Sequence, residues 1–315
     1  MTEEKQKATS AGTPLETFMV ALAAKDAEFK TLSMDKYSLG PWSISKMKML
    51  QKCPLQFYIK YVLKMKIPED VGGRSDTTSA DIGSAAHLIL EHVMQGKSIE
   101  ESYAISRKEY GQDKLSDELW AERVATLEVN ILAFKDRMDA LGRKHKIRKV
   151  YTELRLGVTR DWKPTGIFSD DVYMRGVIDL VVELEDGVAL ITDHKTGGGV
   201  GSLRPYETQL DSYKVLYHHA AKKVRAAQTY VHFIGIGEVK SSYLSSAEDI
   251  SGKLKDMLEF ELEGSVDSVA EKGYFKHVCG SYCRWCDIAT ICKSKEKLLK
   301  PLELGTKRFF EIKKI

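Results

Sequence analysis

The chain has 315 residues, of which 43% are hydrophobic and 30% charged, and its formal net charge is +3. A chain of this length can bury a full core, in one large domain or two smaller ones. The weak positive charge excludes a protein held on nucleic acid by bulk charge alone, although it permits a local basic groove. No run approaches the roughly 18 apolar residues that cross a bilayer, and the polar, acidic start lacks a secretory pattern. We therefore expect no membrane association and a cytoplasmic, intracellular location.

Helical patterns dominate the first half of the chain. Residues 1–14 have the composition of a disordered leader, and residues 15–145 form a predicted helical region that carries Cys53 and His87. Caps, prolines and apolar spacing predict helices over 15–29, from Ser43 to Leu50, from Pro54 onward and over 82–94, with a loop at 67–81.

A change from helical to alternating periodicity marks residues 146–265 as the core. Strands are predicted over 150–158, 172–184, 187–196, 229–237 and 241–245, and helices over 205–223 and 249–263. This order predicts an α/β fold with a central mixed sheet flanked by helices. Residues 266–297 form a cysteine-rich segment, and residues 298–315 form a basic tail.

Two acidic residues and a lysine follow one another on two neighbouring predicted strands. Asp179 ends the apolar run of one strand, and Asp193 and Lys195 end the next, so a hairpin would bring the carboxylates together. Side chains alternate along a strand, which places Asp193 and Lys195 on one face. Carboxylates suit Mg²⁺ or Mn²⁺, and a lysine can orient water or stabilise developing charge. Taken alone, such a triplet is more often a solvated ion pair.

Further motifs accompany this triplet along the chain. They are Gly83-Ser-Ala-Ala-His87, Glu153, Gly176-Val-Ile-Asp179, Asp193-His-Lys-Thr-Gly197 and Gln209-Leu-Asp-Ser-Tyr213. In this order they resemble the RecB-like branch of the PD-(D/E)XK nuclease superfamily, which includes CRISPR-adaptation nucleases, over residues 43–292. The resemblance implies a restriction-endonuclease-like core.

The resemblance also assigns roles to these residues. The implied metal ligands are His87, Asp179, Asp193 and the backbone carbonyl of His194. Lys195 is the implied catalytic lysine, and Gln209 and Tyr213 are expected to contact substrate near the metal. Glu153 has two interpretations: a catalytic residue that reaches the metal through water, or an ion-pair partner of Arg155 or Arg175.

Five cysteines with a Cys-x-x-Cys spacing indicate metal or cluster ligation. Cys279, Cys283, Cys286 and Cys292 would close the shorter loops and would suit zinc. The resemblance instead implies a [4Fe-4S] cluster held by Cys53, Cys283, Cys286 and Cys292, with Cys279 as a spare thiol. Thiolates suit either group, so zinc remains the alternative.

By resemblance, the function is that of a Mg²⁺- or Mn²⁺-dependent DNA exonuclease in recombination, repair or phage DNA processing. The expected substrate is single-stranded DNA or duplex ends, with a recombination or single-strand-annealing protein as candidate partner. A DNA-end-trimming component that hands DNA to partners and a zinc-stapled structural module are the alternatives. One basic, aromatic-rich stretch fits either a phosphate-tracking surface or a solvated face; its cations are Lys46, Lys48, Lys52, Lys60, Lys64 and Lys66.

Overall fold

The computed structural model describes residues 13–31, 41–68, 78–111, 113–197, 202–221, 224–272, 278, 283 and 286–292. The chain divides into two compact units. The unit called here the cysteine unit takes its described residues from the ranges 1–39, 45–76 and 264–315. The sheet unit takes them from 40–44 and 77–263. Most of the predicted leader and all of the predicted basic tail lie outside the described residues.

The helices are α1 (Pro14–Thr31), α2 (Ile44–Lys52), α3 (Pro54–Phe57), α4 (Thr78–Met94), α5 (Ile99–Glu109), α6 (Asp117–Leu119), α7 (Glu128–Lys144), α8 (Glu207–Leu216), α9 (Ala247–Asp249) and α10 (Lys255–Lys272). Turns of π-helix extend four of them or lead into the next, at Tyr58–Val62, Trp120–Val124, Tyr217–Ala221 and Ile250–Leu254. None of the helices in the described part of the chain combines the length and apolarity that crossing a bilayer requires.

The strands are β1 (Ile147–Val158), β2 (Pro164–Thr165), β3 (Met174–Leu184), β4 (Val188–Lys195), β5 (Ala226–Phe233), β6 (Glu238–Ser241) and β7 (Ser245–Ser246). Within the described residues they form one sheet in the order β2-β1-β3-β4-β5-β6, with β7 added beside β5. All pairings are antiparallel except that of β4 with β5. The parallel pair requires a crossover, which α8 supplies. The predicted mixed sheet flanked by helices is confirmed.

The core of the sheet unit lies between α4, α7 and one face of the strands. Ile89 and Phe134 are buried in the same cluster as Leu180 and Val182. The helix that carries His87 therefore packs on the sheet, whereas Cys53 belongs to the cysteine unit. This division differs from the predicted helical region over 15–145, because the apolar face of α4 is covered by strands that come later in the chain.

Several predicted boundaries differ from the structure. The strand predicted over 229–237 runs from Ala226 to Phe233 and then turns, because Gly237 has φ +68° and an added Cβ would meet Asn130 Oδ1 at 2.7 Å. The strand predicted over 241–245 is wrong: β6 ends at Ser241, and β7 is confined to residues 245–246. Helix α4 begins at Thr78, inside the predicted loop, with Asp81 in its first turn, where an acid is favourable.

Inside the cysteine unit, α3 is tied to the short segment that carries the later cysteines. Asp287 accepts hydrogen bonds from Gln56 Nε2 at 2.8 Å and from Lys60 Nζ at 2.6 Å. Lys46 is buried, with its Nζ 5.3 Å from the ring centroid of Tyr61. Lys46 and Lys60 therefore both have structural contacts within this unit.

Candidate active site

Five elements of the sheet unit bring the predicted site residues together. The antiparallel pairing of β3 with β4 sets Leu180 opposite Thr192, so Asp179 and Asp193 lie side by side at the ends of their ladder. Helix α4 supplies one further group, β1 another and α8 two more. The residues so assembled are His87, Glu153, Asp179, Asp193, Lys195, Gln209 and Tyr213.

The first group at the site consists of His87, Glu153 and Asp179. Each offers one ligand atom, and the three atoms all lie within 4.8 Å of one another. Nδ1 of His87 is 3.6 Å from Oδ2 of Asp179. An imidazole nitrogen and two carboxylates in one half-buried cluster are a donor set for a divalent cation, with the nitrogen favouring Mn²⁺.

The backbone of His194 connects α4 to β3 through this cluster. Its amide donates to Oδ2 of Asp179 at 2.7 Å, and its carbonyl oxygen is 3.0 Å from Nε2 of His87. With the proton on Nε2, His87 donates to the carbonyl and presents Nδ1 toward the carboxylate. The carbonyl predicted as a metal ligand thus lies at the cluster, beside the predicted histidine ligand.

The second group surrounds Asp193. Nζ of Lys195 is 2.6 Å from Oδ2 of Asp193, as expected for residues that share a strand face. Nε2 of Gln209 donates to Oδ1 of Asp193 at 2.9 Å and also to the hydroxyl oxygen of Tyr213 at 2.9 Å. Because Gln209 and Tyr213 are four residues apart on α8, they lie on one helical face. The amide of Gln209 therefore fixes both the aspartate and the tyrosine.

Burial dominates the electrostatics of the acids. It raises the pKa of both Asp179 and Asp193 to about 6, against the opposing effects of the His194 amide on Asp179 and of Lys195 on both. Burial also raises the pKa of Glu153 to about 7, with further increases from Asp179 and Glu91. Burial therefore destabilises the ionised form of all three carboxylates, and the charge of one lysine does not offset this effect.

The residues fit a divalent cation. Oδ2 of Asp193 is buried, and the ammonium of Lys195 contacts it at 2.6 Å. Burial, followed by the charge of Lys195, lowers the pKa of His87, which favours the neutral imidazole that binds metal. Three desolvated carboxylates beside a single lysine, together with a neutral imidazole, are what a cation would complement.

Glu153 occupies an unusual backbone conformation. Its φ is +47°, in the left-handed region, although the flanking pairs Thr152 with Leu180 and Leu154 with Ile178 keep a regular antiparallel register. Such strain in a non-glycine residue costs on the order of 1–3 kcal/mol and is concentrated at functional sites. Its carboxylate lies in the metal-type cluster, and no ion pair to Arg155 or Arg175 is found among the described residues. The position favours the interpretation of Glu153 as a site residue.

Three packed rings behind the site, those of His194, His232 and Phe134, were not predicted from the sequence. The ring of His194 contacts that of His232, its register partner on β5, with 3.0 Å between the two Nδ1 atoms. Phe134 stacks on His232, with centroids 4.2 Å apart and planes 11° from parallel. Burial lowers the pKa of His232 to about 4 and that of His194 well below its ordinary value, so both rings are neutral. Together they hold the segment whose backbone contacts Asp179 and His87. The neighbour of a buried histidine on another strand leaves no signal in sequence.

Two motif glycines make room for close packing around the site. A Cβ at Gly176 would lie 2.9 Å from Cδ1 of Leu216, so a side chain there would push α8, which carries Tyr213, away from β3. A Cβ at Gly83 would lie 3.3 Å from Oγ1 of Thr196, directly after the Asp-x-Lys sequence. Both glycines therefore matter because they leave room for neighbouring atoms, and neither takes part in the chemistry.

Four of the cysteines belong to the cysteine unit. Cys53 is the N-cap residue of α3, and Cys283, Cys286 and Cys292 lie in the later segment. The pKa of the Cys286 thiol is raised, mainly by burial and further by Asp287, Cys53 and Cys283. These thiols are therefore near enough to interact. Cys279, the predicted spare thiol, lies outside the described residues.

Comparison with known proteins gave a family match. A family model described as the PD-(D/E)XK nuclease superfamily matches residues 41–293, which is more than half of the chain. The chain is also similar to a solved structure described as "Crystal structure of SSO0001", at 14% sequence identity and a TM-score of 0.39, over 88% of this chain and 96% of that one. No curated protein gave a significant match.

Proposed function

The chain belongs to the PD-(D/E)XK nuclease superfamily, whose members use divalent metals, and from this premise we propose that it is a Mg²⁺- or Mn²⁺-dependent DNA exonuclease of the RecB-like branch. One observation carries the proposal. His87, Glu153 and Asp179 form one metal-type cluster, and the neighbouring pair of Asp193 and Lys195 lies beside Asp179, with elevated pKa values at both aspartates.

Each residue has a proposed role. His87, Asp179, Asp193 and the carbonyl of His194 would hold the cation, and Glu153 would contact it directly or through water. When bound, the cation would polarise the phosphoryl oxygen and lower the pKa of a water molecule. Lys195 would orient that water or stabilise the charge that develops on the phosphate.

Gln209 and Tyr213 have a positioning role in this proposal. The Gln209 amide holds Oδ1 of Asp193, which leaves Oδ2 toward Lys195. Burial raises the pKa of Tyr213, and the charges of Asp193 and Asp179 raise it further, so the phenol stays protonated and can donate to a phosphate oxygen.

We further propose a [4Fe-4S] cluster in the cysteine unit, held by Cys53, Cys283, Cys286 and Cys292. Four thiols are a suitable donor set. The links from Asp287 to Gln56 and Lys60 hold the two cysteine-bearing segments together, which supports ligation across them. Zinc at the same thiols is the alternative, and iron content with the visible spectrum distinguishes the two.

Action on DNA ends and a place in recombination, repair or phage DNA processing rest on the motif resemblance. The test compares 5′- or 3′-end-labelled linear DNA with closed circular single strands, in Mn²⁺, Mg²⁺ or EDTA. The proposal expects metal-dependent release of label from linear DNA and intact circles. Cleavage of the circular strands would show that the protein is an endonuclease. If neither linear nor circular DNA is cleaved, the proposal that the protein is a nuclease is wrong.

A further inference from the structure

An exposed aromatic side chain lies beside an arginine on the segment between β2 and β3. Phe168 has 76% of its surface exposed, in a chain whose aromatic residues are mostly buried or half-buried within the described ranges. The guanidinium carbon of Arg175 is 5.8 Å from the ring centroid of Phe168, and its NH1 donates to the carbonyl oxygen of Ile167 at 3.1 Å. The ring is thus presented to solvent on a segment that Arg175 fixes in place.

These residues are continuous with the metal-type cluster. Arg175 lies two positions before Val177, and Val177 is paired across the ladder with Arg155; both members of that pair are exposed. Diagonal neighbours in such a ladder are roughly 7–8 Å apart, which places the two arginines side by side. Arg155 follows Glu153 by two residues and is close enough to lower its pKa.

The length of this strip suits a nucleic-acid strand. Arg175 precedes Asp179 by four positions on β3, a distance of about 13 Å at about 3.3 Å per residue. That distance corresponds to about four stacked nucleotides at about 3.4 Å each. A strand bound along the strip would therefore end in the cluster.

We propose that Phe168, Arg175 and Arg155 form a binding strip for single-stranded DNA, with a base stacked on the Phe168 ring and phosphates paired with the two guanidinium groups. The inference rests on the proposed nuclease function and specifies the strandedness of its substrate. Stacking requires an accessible base face, which single strands offer and duplexes conceal. Asp170 and Asp171 on the same segment weaken the net attraction for phosphate, so stacking contributes most of the affinity.

The test measures binding of a labelled oligo-deoxythymidylate by fluorescence anisotropy in EDTA, where no cleavage occurs. Phe168→Ala should raise Kd by on the order of 10-fold or more, and Phe168→Trp should retain the affinity. Phe260→Ala is the matched control, because Phe260 is 77% exposed on α10. If Phe168→Ala binds with unchanged affinity, or if the control variant loses as much affinity, the proposed binding strip is wrong.

Arg155 is tested by its effect on the salt dependence of binding. Arg155→Ala should weaken binding and reduce the slope of log Kd against log salt by about one unit, as loss of one phosphate contact requires. Arg143→Ala, which removes an exposed arginine at the end of α7, should leave the slope unchanged. Equal slopes in the two variants would exclude Arg155 from the strip.

Binding and cleavage assays together distinguish a failure of the proposed binding strip from a failure of the proposed nuclease function. If the parent protein cuts DNA but Phe168→Ala binds and cuts normally, the strip is wrong and the nuclease proposal stands. If the parent protein cuts nothing while Phe168→Ala loses affinity, the strip stands and the enzymatic proposal fails.

Discussion

Asp193→Asn should abolish cleavage while making the metal-free protein more stable. The side chain of Asp193 is 2% exposed, and burial raises its pKa from 3.8 to about 6. A shift of about 2 units corresponds to about 3 kcal/mol of cost for the ionised form, an order-of-magnitude figure that Asp193 shares with the neighbouring Asp179. Asparagine has the shape of the acid without the charge, so it avoids this cost.

The pH dependence follows from the direction of the shift. Between pH values of about 4 and 6 the folded carboxyl binds more protons than the unfolded one, so its contribution to stability is lost as pH rises through this range. The stability gained by Asp193→Asn should therefore be under about 1 kcal/mol near pH 4 and about 3 kcal/mol above pH 7.

Urea unfolding in EDTA at several pH values, followed by circular dichroism, measures this difference. Asp186→Asn is the control, because Asp186 is exposed and pairs with Arg225, so its effect should stay below about 1 kcal/mol at every pH. Saturating Mn²⁺ should stabilise the parent protein more than Asp193→Asn. If Asp193→Asn is no more stable than the parent in EDTA at pH 8, the desolvation argument is refuted.

Three other perturbations test the surroundings of the site. His232→Leu removes the partner of the His194 ring and should raise the Mn²⁺ concentration for half-maximal activity about 10- to 100-fold, with His232→Asn less affected; equal values in both variants would exclude this positioning role. Gly176→Val places a side chain against Leu216 and should cost about 1–3 kcal/mol in urea unfolding, more than Gly142→Val, where the nearest atom is 3.4 Å away. Cys286→Ser should lower the iron content and the Tm together, and a parent-like iron content would remove Cys286 from the ligand set.

The sequence predicts the strands that show alternating apolar and polar residues and the turns that are set by local residues. Strands β1, β3 and β4 follow from period-two runs, and the turn between β3 and β4 makes their pairing a local event. Asp179 and Asp193 could therefore be placed together from sequence. The ends of β5 and β6 were less predictable, because the turn at Gly237 depends on the tertiary contact with Asn130.

Other parts of the site depend on contacts between distant segments. The backbone of Glu153 is left-handed because of its position in the folded sheet, and no local propensity favours this conformation for glutamate. His232 and Phe134 support His194 from another strand and another helix. Asp287 joins α3 across more than 200 residues of chain. Pairings of this kind have no pattern along the sequence.

The most direct test of the nuclease assignment is the cleavage rate of Lys195→Met with end-labelled single-stranded DNA in Mn²⁺, beside the parent protein and an EDTA control. Methionine keeps an unbranched side chain and removes the charge that lies 2.6 Å from Asp193. We expect at least about a 100-fold loss of rate, as for removal of a group that stabilises transition-state charge, with an unchanged circular dichroism spectrum. Cleavage at the parent rate would contradict the assignment of Lys195 and, with it, the proposed active site.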